Sequence, residues 1–162
     1  MEERLAHLAA QIGKLLKEKR LTLGLAESCT GGLLAAQITE IPGSSAYFRG
    51  CIVAYHNKVK KKVLKVPATI LRKFGPVSEE TARAMARGAR KVTGAHIGLS
   101  ITGIAGPTGE TEERPVGSVY IGLDSKRVKE VFKLTFSGNR SAIRLQACEK
   151  SLQLLAQFLE RR

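Results

Sequence analysis

Tryptophan is absent from the 162 residues, aromatics amount to 5%, and no uninterrupted apolar run approaches the roughly 20 residues that span a bilayer. A membrane partner is therefore not expected. The interleaved aromatic and basic pattern of a single-strand binding sheet is missing too, so no specific nucleic-acid partner is expected. Three cysteines, Cys29, Cys51 and Cys148, are too few and too scattered for a disulfide framework or a CxxC site, and free thiols fit a reducing compartment. The three histidines, His7, His56 and His96, lack the partner spacing of a zinc site. We expect neither a metal nor a cofactor. The opening MEERLAHLAAQIGKLL mixes charges into its apolar positions and has no continuous apolar centre of the secretory kind, which predicts a cytoplasmic location.

What the chain does have is positive charge: 27 Lys and Arg against 14 Asp and Glu, a formal net charge of +13. Such an excess favours anionic partners, whether nucleic acid, phosphate esters or acidic lipid, without choosing among them. Part of it sits in NKVKKKVLK, where lysines along a solvated helix face are an adequate explanation. With 43% hydrophobic residues the chain can bury a core without covalent staples, and residues 1–162 are expected to form one domain.

Leu5, Leu8, Ile12, Leu15 and Leu16 follow three-and-four spacing and predict an opening helix that ends near Lys19 or Arg20. LTLGLA reads as a strand, followed by a Ser/Cys/Thr/Gly turn and a packed helix over GLLAAQITEI. GCIVAY is a second strand leading into the lysines. Pro67 starts a short helix that stops at Gly75, and Ser78, followed by Glu79 and Glu80, caps a longer one that runs to Gly94. AHIGLSIT is apolar enough for a strand covered on both faces. After the Gly, Pro and Thr-rich GIAGPTGETEERPVG loop, SVYIGLD and VKEVFKLTF alternate like a hairpin joined at SKR. A last helix carries the stripe Leu145, Cys148, Leu152, Leu155 and Leu159. Alternating strands and helices followed by a hairpin predict an α/β fold, a three-layer α/β/α sandwich around a mixed sheet. In such sheets ligands gather beyond the carboxyl ends of the strands, where AESCTGG and TGIAGPTG both fall.

Ser28, Cys29 and Thr30 follow the first strand directly, and Gly31 and Gly32 let the chain turn while exposing amides at a helix start, where an anion or an oxyanion would be held. A capped, close-packed turn is the competing explanation. Ser28 and Cys29 compete as nucleophile: a thiolate needs a partner, for which His56 is the candidate, whereas Cys29 equally suits a small buried hydrophobe. A serine needs a base, and Lys58, Lys60, Lys61 and Lys62 follow the second strand. A neutral lysine requires a pKa lowered by burial or by neighbouring cations, with Tyr55 placed to relay a proton. Thr102, Gly103, Gly106 and Gly109 can offer a hydroxyl and amides to a ligand, although the loop lacks the phosphate-loop lysine. Arg140, opening the last helix after SGN, can join that helix's amides in holding a phosphate.

Taken in order, AESCTGG, PGSSAYFRGCIVAYHNKVK, GPVSEETARAMA, SITGIAGPTG, PVGSVYIG and FSGNR resemble the C-terminal domain of the CinA competence/damage-inducible family over nearly the whole chain. The resemblance implies an amidohydrolase that converts nicotinamide mononucleotide and water to nicotinate mononucleotide and ammonia. By motif, it implies that Ser28 is the nucleophile, Lys60 the base, and Tyr55 and Arg140 site residues, with Asn57 beside Lys60 and Thr102 in the site wall. His56 and the charged TGETEERPVG depart from the family pattern. The partners expected are the mononucleotide as substrate and a second copy in a homodimer. A different class, a non-catalytic competence/damage-associated module that binds nucleotide or nucleic acid, would also account for the charge.

Overall fold

The computed structural model describes residues 2–161. Helix α1 (Glu2–Glu18) leads to strand β1 (Leu23–Glu27), helix α2 (Leu33–Thr39), a 3-10 turn over Ser44–Ala46 and strand β2 (Phe48–Val53). Helices α3 (Asn57–Lys62), α4 (Ala68–Phe74) and α5 (Glu79–Thr93) follow, then strands β3 (Ile97–Gly103), β4 (Ser118–Asp124) and β5 (Lys129–Thr135) and helix α6 (Arg140–Glu160). The sheet order is β2-β1-β3-β4-β5. β1 runs parallel to β2 and β3, while β4 and β5 are antiparallel additions, which makes the sheet mixed as the alternation of elements predicts.

The two faces of the sheet are built from different side chains. Leu23 and Leu25 of β1, Ile97, Leu99 and Ile101 of β3, and Val119, Ile121 and Leu123 of β4 point to one face, where α1, α2 and α6 complete the main core. The alternate positions are small. Gly24 of β1 pairs in register with Gly98 of β3, and Ser100 of β3 with Gly122 of β4. A Cβ at Gly98 would collide with the carbonyl of Ala86, and one at Gly122 would lie 2.6 Å from the carbonyl of Ala82. Helix α5 therefore lies almost on the backbone of the sheet, and a smaller cluster of Ala26, Met85, Ala89, Leu64 and Val66 fills the edge of that contact.

Local signals place α5 where the sequence puts it. The Ser78 hydroxyl accepts from Thr81 N, and Gly94 adopts the left-handed conformation that ends the helix. Gly75 stops α4. On α6, Cys148, Leu152, Leu155 and Leu159 are buried, but Leu145 is only half-buried; Ile143, Ala147 and Leu154 join the stripe because a 21-residue helix across a sheet buries more than one row.

Gly98→Ala tests the close approach of α5. The added methyl must displace the Ala86 carbonyl, and overpacking of this kind costs about 1–3 kcal/mol. We expect a lower urea midpoint with an unchanged slope; an unchanged midpoint would mean that α5 lifts from the sheet freely.

Candidate active site

β1, β2 and β3 all end on one edge of the sheet, and the segments that follow them enclose a cleft of about 310 Å³. Ser28 comes from the turn after β1, Tyr55, Asn57 and Lys60 from the segment after β2, and Thr102, Gly103 and Gly106 from the end of β3 and its loop. Arg140 closes the cleft from the start of α6. Gly109, offered above for its amide, lines it as well, and Pro76, Val77, Ile104, Ala105 and Thr108, to which no local signal pointed, add to the walls.

At its base Lys60 Nζ lies 2.9 Å from Ser28 Oγ, 2.7 Å from the Ala54 carbonyl and 3.3 Å from the Tyr55 carbonyl. Lys60 is 1% exposed, and burial lowers its pKa from the ordinary 10.5 to about 8. Crowding by Lys58, Lys61 and Lys62 is not the cause, contrary to one expectation, because those three side chains are exposed and well hydrated. Two carbonyls and one hydroxyl suit both charge states. An ammonium can donate to all three oxygens. A neutral amine can give its two protons to the carbonyls, leaving the lone pair to accept from the Ser28 hydroxyl.

Cys29 borders the same cleft, but burial raises its pKa to about 11, which keeps it a thiol. His56 offers it no help: its Nδ1 accepts from Lys58 N and caps α3. The thiolate alternative therefore lacks both a low pKa and a base.

The glycine turn is where the geometry departs most from expectation. Thr30, Gly31 and Gly32 do not line the cleft, and the amides expected to receive an anion are taken by the chain itself. Glu27, the last residue of β1, is fully buried, and its carboxylate accepts from Gly32 N (3.0 Å), Leu34 N (3.2 Å) and Ala35 N (2.8 Å). Gly31 N donates to the Ser28 carbonyl, and Leu33 N to that of Thr30. An internal carboxylate at the positive end of a helix does what a bound anion would do. From the other side Arg144 donates Nε to the Cys29 carbonyl (3.1 Å) and a terminal nitrogen to that of Thr30 (2.8 Å). Neither Glu27 nor Arg144 was singled out from the sequence. The signals were an acid ending an apolar strand, and an arginine one helical turn beyond Arg140.

The rim is tied together by Arg140, which donates to the Tyr55 hydroxyl (2.9 Å) and to the Gly106 carbonyl (2.7 Å). Tyr55 is 60% exposed, and it meets Lys60 through its carbonyl, while its phenol belongs to the rim. Asn139, not a ligand, caps α6 by accepting from Ala142 N, so the guanidinium acts without that amide. Thr102 gives its hydroxyl to the Pro76 carbonyl and fixes the wall, which leaves that proton unavailable for a ligand. Among the described residues no group of three or more His, Cys, Asp or Glu could hold a metal ion, and no helix is long and apolar enough to cross a membrane.

These features define an α/β domain with a buried serine–lysine pair at the carboxyl edge of its parallel strands. The chain belongs to the CinA C-terminal domain family, whose model matches residues 5–159. It is 51% identical over 150 residues to a protein of Desulforudis audaxviator named as competence-damage inducible, and 48% identical over 152 residues to a CinA-like protein of Endomicrobium trichonymphae. Those matches cover 93% and 94% of this chain but 36% of each relative, so the chain spans about a third of the length of the curated relatives it matches. Crystal structures agree with the fold. A CinA superfamily protein from Klebsiella pneumoniae 700603 superposes with a TM-score of 0.94 at 29% identity, covering 98% of this chain and 99% of that one. A competence/damage inducible protein from Agrobacterium tumefaciens superposes at 0.93 with 36% identity, covering 97% and 96%.

The depressed Lys60 pKa carries a stability signature. Between pH 8 and 10.5 the unfolded chain holds a proton that the folded site has released, so the stability linked to Lys60 is present above pH 10.5 and is lost as pH falls through 8. Relative to Lys60→Met, in which other titrations cancel, wild-type stability should gain about 3 kcal/mol from pH 7 to 11. Urea midpoints at several pH values measure this, and a constant difference would mean that Lys60 titrates like a solvated lysine.

Proposed function

We propose that this domain hydrolyses the carboxamide of nicotinamide mononucleotide, giving nicotinate mononucleotide and ammonia. The observation that carries the reading is the 2.9 Å contact between the buried Lys60 amine and Ser28 Oγ. In the neutral state Lys60 accepts the Ser28 proton as Oγ attacks the carboxamide carbon. Collapse of the tetrahedral adduct breaks the C–N bond, and the Lys60 ammonium returns the proton to the departing amine, which leaves as ammonia. Water then attacks the acyl-Ser28 ester, giving its proton to Lys60, and the expelled Ser28 alkoxide recovers it.

The oxyanion needs preorganised donors, each worth roughly 100- to 1,000-fold in rate. The α2 amides are committed to Glu27, so this reading assigns that work to the amides of Cys29, Ala105 and Gly106, residues that border the cleft. Arg140 would receive the phosphate at the rim by exchanging the Tyr55 hydroxyl and the Gly106 carbonyl for phosphate oxygens. Asn57, also on the cleft wall, is left to the sugar or the pyridine ring.

Purified protein incubated with nicotinamide mononucleotide should release ammonia. Ser28→Ala and Lys60→Met should each lose several orders of magnitude, and Cys29→Ala should keep most of the activity. Wild-type kcat/KM should rise with pH through a limb near 8, because the deprotonated amine is the active form. A folded protein that releases no ammonia would leave a non-catalytic binding module, the class that the relatives' competence names and the +13 charge permit.

Arg140→Ala separates phosphate recognition from chemistry. kcat/KM for the mononucleotide should drop by ~1.5–3 kcal/mol, the scale of a charge-assisted hydrogen bond, while the phosphate-free riboside reacts nearly as before. Equal losses on both compounds would place Arg140 in support of the rim and the phosphate elsewhere.

A further inference from the structure

Arg144 sits one turn along α6 from Arg140 and faces a different task. It is half-buried, does not line the cleft and forms no salt bridge among the described residues. Its Nε and one terminal nitrogen donate instead to the consecutive carbonyls of Cys29 and Thr30, at 3.1 and 2.8 Å. Two donors fixed in one plane hold two acceptors in both distance and direction, which a lysine cannot do. The helix that carries this fork is itself anchored, because Ile143, Ala147 and Cys148 on either side of Arg144 are buried in the main core.

The turn after β1 needs such a tie. Ser28 takes its place beside β3 through its amide, which donates to the Ile101 carbonyl at 2.9 Å. Beyond it the chain passes through two left-handed glycines, Gly31 and Gly32, at φ 61° and 96°. Paired glycines leave the backbone many conformations, so a seryl oxygen just ahead of them keeps one position only if something outside the turn restrains it. Glu27 restrains the α2 side through its three amides. Arg144 restrains the other side, through the two residues that directly follow Ser28. Gly31 leaves it room, since a Cβ there would lie 3.5 Å from the guanidinium.

We propose that Arg144 is a positioning residue for Ser28, holding the nucleophile's turn so that Oγ stays within reach of both the Lys60 amine and the carboxamide. The role rests on the serine attack proposed above, but not on which amide is attacked. Arg144 touches neither the substrate nor the reacting atoms, and therefore sets the rate of attack while leaving binding alone. A nucleophile displaced by about 1 Å loses about 100-fold in rate.

Arg144→Met keeps the aliphatic stem and removes the fork. With nicotinamide mononucleotide, kcat should fall by about 10- to 100-fold while KM changes by less than about threefold. The phosphate-free riboside should lose kcat/KM by the same factor, unlike in Arg140→Ala, where the two compounds separate. The limb near 8 should stay, because the three oxygens around Lys60 remain. A fluorophosphonate, which the Ser28 oxygen attacks at phosphorus with loss of fluoride, reports on the nucleophile without any amide, and its labelling rate should fall in step with kcat. If circular dichroism shows Arg144→Met unfolded, Arg144→Lys, which keeps the charge without the fork, should show a loss of about tenfold. The role is overturned if the folded variant is labelled and turns over at wild-type rates, whatever its urea midpoint, since the tie would then serve stability alone. It is equally overturned if KM alone rises, if the riboside is spared, or if the limb moves, which would mean that the guanidinium acts on Lys60. Wild type labelled at Ser28 without releasing ammonia would refute the amidase reading alone, and the ratio of labelling rates still decides Arg144; wild type inert to both would overturn the two together.

Discussion

The carboxylate of Glu27 is fully buried, and what surrounds it is mostly backbone: three amides of the α2 start and the thiol of Cys51, 3.6 Å away. Removing a carboxylate from water costs several kcal/mol even after relaxation, so this arrangement persists only because the amides at a helix start replace the lost hydration. The consequence for the chain is geometric. β1 must stop at Glu27, the next four residues must turn back, and Ser28 emerges at the floor of the cleft. Arg144 holds the opposite side of the turn by its carbonyls. A residue between an anchored strand end and an anchored helix start has little freedom, which is the preorganisation a nucleophile requires.

The way these charges are satisfied also governs Lys60. Glu27 is met by amides and Arg144 by carbonyls, and no carboxylate among the described residues contacts the Lys60 amine, whose neighbours are one hydroxyl and two carbonyls. A carboxylate beside the amine would hold it protonated and useless as a base. Dipoles stabilise the ammonium less than a full charge does, and burial then brings the pKa down to about 8.

The fold was readable from the sequence wherever the determinant was local. Ser78, Gly94 and Gly75 act through neighbours within one turn of themselves, and α4 and α5 begin and end where those residues predict. What could not be read was contact across the sheet. Gly24, Gly98 and Gly122 look like weak strand residues until α5 is seen lying on them. Ser28 and Lys60 were singled out by residue type, and motif resemblance joined them, but nothing local states that residues 32 apart meet. Thr30, Gly31 and Gly32 were misread because a glycine-rich helix start looks the same whether its amides face a ligand or an internal acid. Glu27 decides the matter, and its side chain's direction depends on the register of β1 against β3.

Why Lys60 and not its neighbours turns inward follows from the same reasoning. α3 has six residues, capped by His56, and positions 58, 61 and 62 fall on its outer side while 60 falls within. The chain leaves β2 at Val53 and folds back so quickly that the carbonyls of Ala54 and Tyr55, six and five residues earlier, face the Lys60 side chain. Those carbonyls have no strand partner to bond at this point, since the amine occupies them. A run of like charges thus yields one buried amine because the backbone beside it has acceptors that only that position can reach. The remaining lysines of the run keep their hydration and contribute to the chain's net charge of +13.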